Sequence, residues 1–162
     1  MLRIFSQKPL TKPGARAKQG ETMYTGSCLC GEVSFHITGK IENIIYCHCS
    51  KCRKAQGSAF ATNGNVNIKN FELISGKNSL TRYESSKGQF KYFCKICGSP
   101  IMSKNASNTN NIRVRLGSIE TDIREKPEAH IFVSSKANWE EIDGNLPRYD
   151  SYEQTNTQGP GK

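Results

Sequence analysis

Phe93-Cys94-Lys95-Ile96-Cys97-Gly98 holds two cysteines separated by two residues and followed by glycine. That spacing lets both sulfurs reach one tetrahedral ion, with N–H groups of the turn between them donating to sulfur. Glycine after the second cysteine permits the tight backbone such a knuckle needs. The stretch is a zinc half-site, and it requires a second half. Cys28-Leu29-Cys30-Gly31 supplies one, with the same trailing glycine. Its one-residue gap is less common, but a bulged strand end can aim both sulfurs the same way. Between these pairs lies Cys47-His48-Cys49-Ser50-Lys51-Cys52. Seven cysteines divide as four plus three. The flanking pairs make a closed four-sulfur site. The triplet makes a second site with one position open, the usual arrangement of a catalytic zinc with three protein ligands. Three alternatives stand beside this reading. His48 could complete the triplet, although on an extended segment its side chain points away from its neighbours'. Cys94 and Cys97 could be a redox dithiol, without the βαβ context such motifs have. The cysteines could also hold an iron–sulfur cluster, although their grouping differs from ferredoxin spacings.

Working outward, 162 residues at 35% hydrophobic suit one domain with a modest core, which bound metal would reinforce. No window approaches the ~18 apolar residues of a membrane span, and no apolar signal segment is present. An odd number of clustered cysteines without an export signal fits thiolates in a reducing compartment, so a cytoplasmic location is expected. With seven thiolates and two Zn²⁺, the formal charge of +9 falls to about +6. Arg3, Lys8, Lys12, Arg16 and Lys18 place part of it in residues 1–22, which read as a flexible basic arm with Pro9, Pro13, Gly14 and Gly20. Such an arm can be merely solvated, can touch nucleic acid or anionic lipid, or can serve as a transit segment. Residues 151–162 read as a disordered tail, leaving 23–150 as the folded unit.

Within that unit the apolar pattern has period two. Val33, Phe35 and Ile37 alternate with polar residues, as do Ile112, Val114 and Leu116. Ile44-Ile45-Tyr46 leads into the triplet and Phe90–Phe93 into the last pair. His130–Val133 is a further apolar run. Phe71–Ile74 and Leu80–Tyr83 read as strands paired across Ser75–Asn78, and Asn105–Asn111 as a loop. Ser50 could cap one helical turn through Lys54, and Ser135–Ile142 could form a short helix. The fold class is mainly β, antiparallel, with short helical turns.

Three thiolates on Zn²⁺ carry a net charge of −1, so the ion is a poor acid toward water and better suited to holding a fourth thiol as thiolate. The expected chemistry is thiol transfer or addition. Tyr24–Val33, Tyr46–Lys54, Gly57–Phe60, Phe93–Ile101 and His130–Trp139 together resemble the glutathione-dependent formaldehyde-activating enzyme family, which includes centromere protein V. The resemblance spans about residues 24–150 and implies a zinc-pinned β-tent of antiparallel sheets. It implies a structural zinc on Cys28, Cys30, Cys94 and Cys97, and a catalytic zinc on Cys47, Cys49 and Cys52. The activity implied is that of a carbon–sulfur lyase that joins glutathione and formaldehyde as S-hydroxymethylglutathione, with a small thiol as partner and no membrane. Two other functions stay open: a basic zinc module that contacts nucleic acid, and a non-catalytic double-zinc scaffold.

Arg53, Lys54 and Arg82 are candidate partners for the carboxylates of glutathione, or plain surface charges. His130 and Trp139 read as packing residues, with a general-base role for His130 as the alternative. Tyr46 and Phe60 could wall a pocket or fill the core. Pro100 fits a turn, with a cis bond open to it.

Overall fold

The computed structural model describes residues 22–152. The basic arm before them and most of the tail after them lie outside the described residues. The chain is mainly β, as expected. Its strands are β1 (Met23–Ser27), β2 (Ser34–Thr38), β3 (Glu42–Cys47), β4 (Ala61–Asn67), β5 (Phe71–Ser75), β6 (Leu80–Ser86), β7 (Gln89–Cys94), β8 (Pro100–Asn105), β9 (Asn108–Arg115), β10 (Ala129–Ile131) and β11 (Arg148–Tyr149). One helix, α1 (Ser50–Gln56), follows β3. Three strands form a small sheet in the order β1-β2-β5, and eight form a large one in the order β11-β10-β3-β4-β9-β8-β7-β6. Every pairing is antiparallel except those of β10, which runs parallel to both β3 and β11. No helix among the described residues is long and apolar enough to cross a membrane.

The alternation read in the sequence becomes burial. Val33, Phe35 and Ile37 are fully buried, as are Ile112 and Val114. They form one core with Tyr24, Ile41, Ile44, Val66 and Ile101, so the small sheet packs its inner face on the large one. Cys28 and Cys94 belong to the same core, which ties the first and last cysteine pairs to the apolar packing.

Three local expectations are corrected. Phe71–Ile74 and Leu80–Tyr83 do form strands, but in different sheets: β5 pairs with β2, and β6 with β7. Phe71 stacks on Phe35 at 5.1 Å and completes the small sheet's inner face. Gly76 then turns the chain away with φ of 77°, where a Cβ would lie 2.5 Å from the Glu32 carbonyl oxygen. The polar stretch 105–111 is not all loop, because β9 begins at Asn108 and Asn111 pairs with Asn67. The ladder carries these residues where their composition does not. The run 135–142 is not a helix. A short 3₁₀ turn, Val133–Ser135, starts from Phe132 in the left-handed conformation and ends at Lys136, whose extended ψ of 157° stops it. Pro100 is trans, there being no cis peptide among the described residues.

Tyr24 donates from its buried hydroxyl to Glu125 at 2.6 Å, and the Ile41 N–H donates to the same carboxylate. Desolvation is the largest single influence on the Glu125 carboxylate and works against it, but the bond from Tyr24, the backbone N–H bonds and Lys40 together outweigh it and hold the carboxyl below its usual range. A depressed carboxylate stabilises the fold above its unfolded pKa of about 4.3 and ceases to do so as pH falls through its folded value. Tyr24→Phe is therefore expected to cost about 1–2 kcal/mol at pH 7. Denaturant titrations should show the difference from the parent chain shrinking below about pH 4.

Candidate metal centres

The first centre joins two turns. Cys28 and Cys30 sit in the turn between β1 and β2, and Cys94 and Cys97 in the turn between β7 and β8. Gly31 and Gly98 both have positive φ, 74° and 77°, which fits their place after the second cysteine of each pair. The Gly98 N–H closes the knuckle on the Cys94 carbonyl at 2.8 Å, and the Val33 N–H donates to Cys28 Sγ at 3.2 Å. Ser99 clasps the turns together: its Oγ accepts from the Leu29 N–H at 2.9 Å and lies 3.3 Å from Cys97 Sγ. Cys30 Sγ is 3.5 Å from Cys28 Sγ and 3.8 Å from Cys94 Sγ, and all four sulfurs lie within 4.8 Å of one another. An ion 2.3 Å from each of four sulfurs would space them about 3.8 Å apart. Against the cost of burial, bonds from the Ser99 hydroxyl and backbone lower the Cys97 thiol to about 6. Cys30 is pushed up to about 12, because the neighbouring cysteines and burial outweigh the largest single influence on it, a lowering backbone bond at Glu32.

The second centre lies where β3 runs into α1. Cys47 ends the strand, Cys49 is the N-cap of the helix and Cys52 lies in its first turn. Ser50, expected to cap this turn, is its first residue instead, and no side chain caps the helix. Cys47 is buried, while Cys49 and Cys52 are half-buried. Cys47 and Cys49 hold their sulfurs 3.6 Å apart, and the three sulfurs lie within 4.8 Å of one another. Bonds from Cys47 and then Cys52 lower the Cys49 thiol to about 2. Among the described residues no fourth Cys, His, Asp or Glu atom joins this group.

His48 is engaged elsewhere. It is fully buried, with Nδ1 3.0 Å from a Glu140 carboxylate oxygen and Nε2 2.8 Å from His130 Nδ1. A carboxylate only accepts, so Nδ1 carries a proton, and one proton bridges the two histidines. Neither ring nitrogen offers a lone pair to a metal. Burial first, and then the nearby His48, hold the His130 imidazole below its usual value. Tyr46 and Phe60 stack with this pair, at 5.0 Å between Tyr46 and His130 and 5.2 Å between Phe60 and His48. They pack against the histidines, on the side of β3 opposite Cys47. Removing the carboxylate should leave a buried imidazole N–H unpaired. Glu140→Ala is expected to cost about 2–3 kcal/mol in thermal or chemical melts, and Glu140→Gln, which still accepts, clearly less.

The remaining sequence candidates separate. Arg53 donates from Nε to the His48 carbonyl and braces the loop. Arg82 lies over the Phe90 ring at 4.6 Å, away from the triplet, and Lys54 is exposed on α1. Trp139 is 68% exposed, so it is not a core residue. Sequence reasoning missed Lys91 and Arg115. Lys91 Nζ is 4.0 Å from Cys52 Sγ, and Arg115 is buried at the end of β9. Both line a cleft of about 310 Å³ beside α1, with Ala55, Tyr83, Phe93 and Met102.

Both clusters could hold metal ions. Donor sets made only of sulfur are soft, and the four-sulfur spacing fits a tetrahedral ion, so the residues suit zinc.

The family model for the glutathione-dependent formaldehyde-activating enzyme matches residues 23–135. Curated relatives in Aspergillus flavus and Aspergillus oryzae, provisionally named as such enzymes, are each 26% identical over 130 residues, 76% of this chain. The chain spans 61% of their length. A Rhodobacter sphaeroides protein of known crystal structure shares the fold, at a TM-score of 0.50 and 23% identity, over 62% of this chain and 91% of its own. With all three cysteine motifs inside the matched segment, the chain belongs to the glutathione-dependent formaldehyde-activating enzyme family.

Proposed function

We propose that the chain is a zinc-dependent carbon–sulfur lyase that acts on a small thiol adduct, with formaldehyde and glutathione as its reference substrates. The observation that carries this reading is the triplet itself: three converging sulfurs, no fourth protein donor among the described residues, and a cleft alongside. Cys47, Cys49 and Cys52 would hold the ion in this open centre, and Cys28, Cys30, Cys94 and Cys97 a second ion in the closed one. When bound, zinc supplies positive charge that favours the thiolate form of an incoming thiol. The protein fixes the sulfurs from one strand end and one helical turn, with Cys47 buried and Cys49 and Cys52 partly open to solvent. In the forward reaction a sulfur–carbon bond forms as the carbonyl π-bond breaks, and the proton leaving sulfur ends on oxygen. The buried pairing of His48 takes it out of metal ligation and makes it a brace for the loop between Cys47 and Cys49.

The addition also proceeds unaided, so the test must resolve catalysed exchange. Magnetisation transfer between formaldehyde hydrate and S-hydroxymethylglutathione, with zinc-loaded protein at micromolar concentration, is expected to exceed the protein-free rate in proportion to protein. No protein-dependent increase for glutathione or other small thiols would defeat the proposal.

A further inference from the structure

The pleat gives β7 two faces. Lys91 leaves it on the side of the triplet, 4.0 Å from Cys52 Sγ. Phe90 and Tyr92 leave it on the other side. Their partners across the sheet share that side: Arg82 on β6 lies opposite Tyr92, and Lys104 on β8 opposite Phe90. The register therefore sets two rings and two cations together. The Arg82 guanidinium lies over the Phe90 ring at 4.6 Å, and Lys104 Nζ over the Tyr92 ring at 5.5 Å. Tyr92 packs against the margin of the main core, whereas Phe90 belongs to neither apolar cluster. These four residues line a groove of about 290 Å³, with Asn105 and Asn111. It opens at the edge of the large sheet, where β6 is the last strand. None of the seven cysteines lines it. No carboxylate lines it either: Glu84, opposite Phe90, accepts from the Gly88 N–H at 2.7 Å within its own turn.

Aromatic rings, and an arginine laid on one of them, are stacking surfaces for planar groups, and the cations beside them favour negative charge. Residues two apart on a strand lie about 7 Å apart, so Phe90 and Tyr92 present such surfaces in succession. A ligand that repeats a flat ring and an anion satisfies both. An acidic peptide supplies the charge without the rings. The chain's own basic arm, and a second copy of the chain at a formal +9, carry the wrong sign. We propose that this groove binds a single strand of nucleic acid, with bases stacked on Tyr92 and on the Arg82–Phe90 pair and phosphate held by Lys104. In a duplex the bases are already stacked on one another, so the strand recognised is unpaired. The site lies on the opposite face of the sheet from the triplet and does not depend on the thiol reading.

The test is fluorescence anisotropy of the zinc-loaded full chain with a labelled oligodeoxythymidylate of about twelve nucleotides, alone and annealed to its complement, at physiological salt. The single strand is expected to bind at least about tenfold more tightly than the duplex. Phe90→Leu keeps an apolar side chain but no ring, and should weaken single-strand binding about tenfold with zinc content and circular dichroism unchanged. Lys104→Gln should lower the slope of log affinity against log salt by about 1. The basic residues of 1–22 are present in every variant. Binding through them alone would give equal affinity for strand and duplex, unaffected by Phe90→Leu, and would overturn the proposal. So would the absence of single-strand binding. Thymidine monophosphate that competes as well as the unlabelled oligonucleotide would also overturn it, by making the occupant a free nucleotide.

Discussion

Cys97→Ser is expected to leave the chain unfolded, or molten, at room temperature. Cys97 is one of four sulfurs that join the turn between β1 and β2, in the small sheet, to the turn between β7 and β8, in the large one. Structural zinc contributes about 10–16 kcal/mol in small domains, as much as the whole stability of many of them. Losing one thiolate of four removes a large share of that term. It also leaves Cys28 and Cys94, which are buried in the main core, without the ion that would offset their charge. Circular dichroism and zinc counting would check this. A Cys97→Ser chain that melts cooperatively within a few degrees of the parent would sink the structural assignment of this centre.

Cys49→Ser is expected to have the opposite profile: a folded chain with one zinc in place of two, and no thiol binding. The packing around the triplet is small, with Ile45, Cys47 and Ile131 at its centre, and it is separate from the main core. Cys49 is half-buried at the start of α1, where serine fits without a cavity. The fold should therefore survive with a loss of no more than about 1 kcal/mol. A two-sulfur site holds zinc far more weakly than a three-sulfur one, so protein-dependent exchange of formaldehyde should fall to background. One zinc in the parent chain, unchanged in Cys49→Ser, would mean that the triplet does not hold metal and would remove the basis for catalysis.

What was legible in the sequence was whatever is local. Cys94-x-x-Cys97-Gly98 announces its own knuckle, and the period-two runs around Phe35 and Val114 announce their strands. The four-plus-three division followed from counting, and the structure brings the same residues together. What the sequence hid is set by register. Lys91 reads as one lysine among many, and only the pairing of β7 with β8, and of β8 with β9, brings it to the side of the sheet where Arg115 also faces the triplet. Arg53, Lys54 and Arg82 were candidates as cations for the carboxylates of glutathione; Arg53 instead donates to the His48 carbonyl, Arg82 lies over Phe90, and Lys54 is exposed. His130 was singled out without its partners, since the bonds among His48, Glu140 and His130 cross long stretches of chain. The helix expected over 135–142 failed for a similar reason. Glu140 turns inward to His48, and the Lys136 ammonium reaches the Glu140 carbonyl at 2.7 Å, so tertiary bonds outweigh a weak local preference.

The parallel seam formed by β10 sets an order of events during folding. The antiparallel hairpins β6–β7, β7–β8 and β8–β9 join neighbours in sequence and close early, bringing Cys94 and Cys97 together within one turn. The seam between β10 and β3 needs chain ends far apart to meet: His130 reaches His48 across 82 residues. Loop closure on that scale comes late, and a strand of three residues is among the first to detach. The backing of the triplet is thus the last part of the sheet to assemble and the first to open. The closed centre waits on a closure of the same scale, Cys30 meeting Cys94 across 64 residues, so only its Cys94–Cys97 half is formed by the early hairpins.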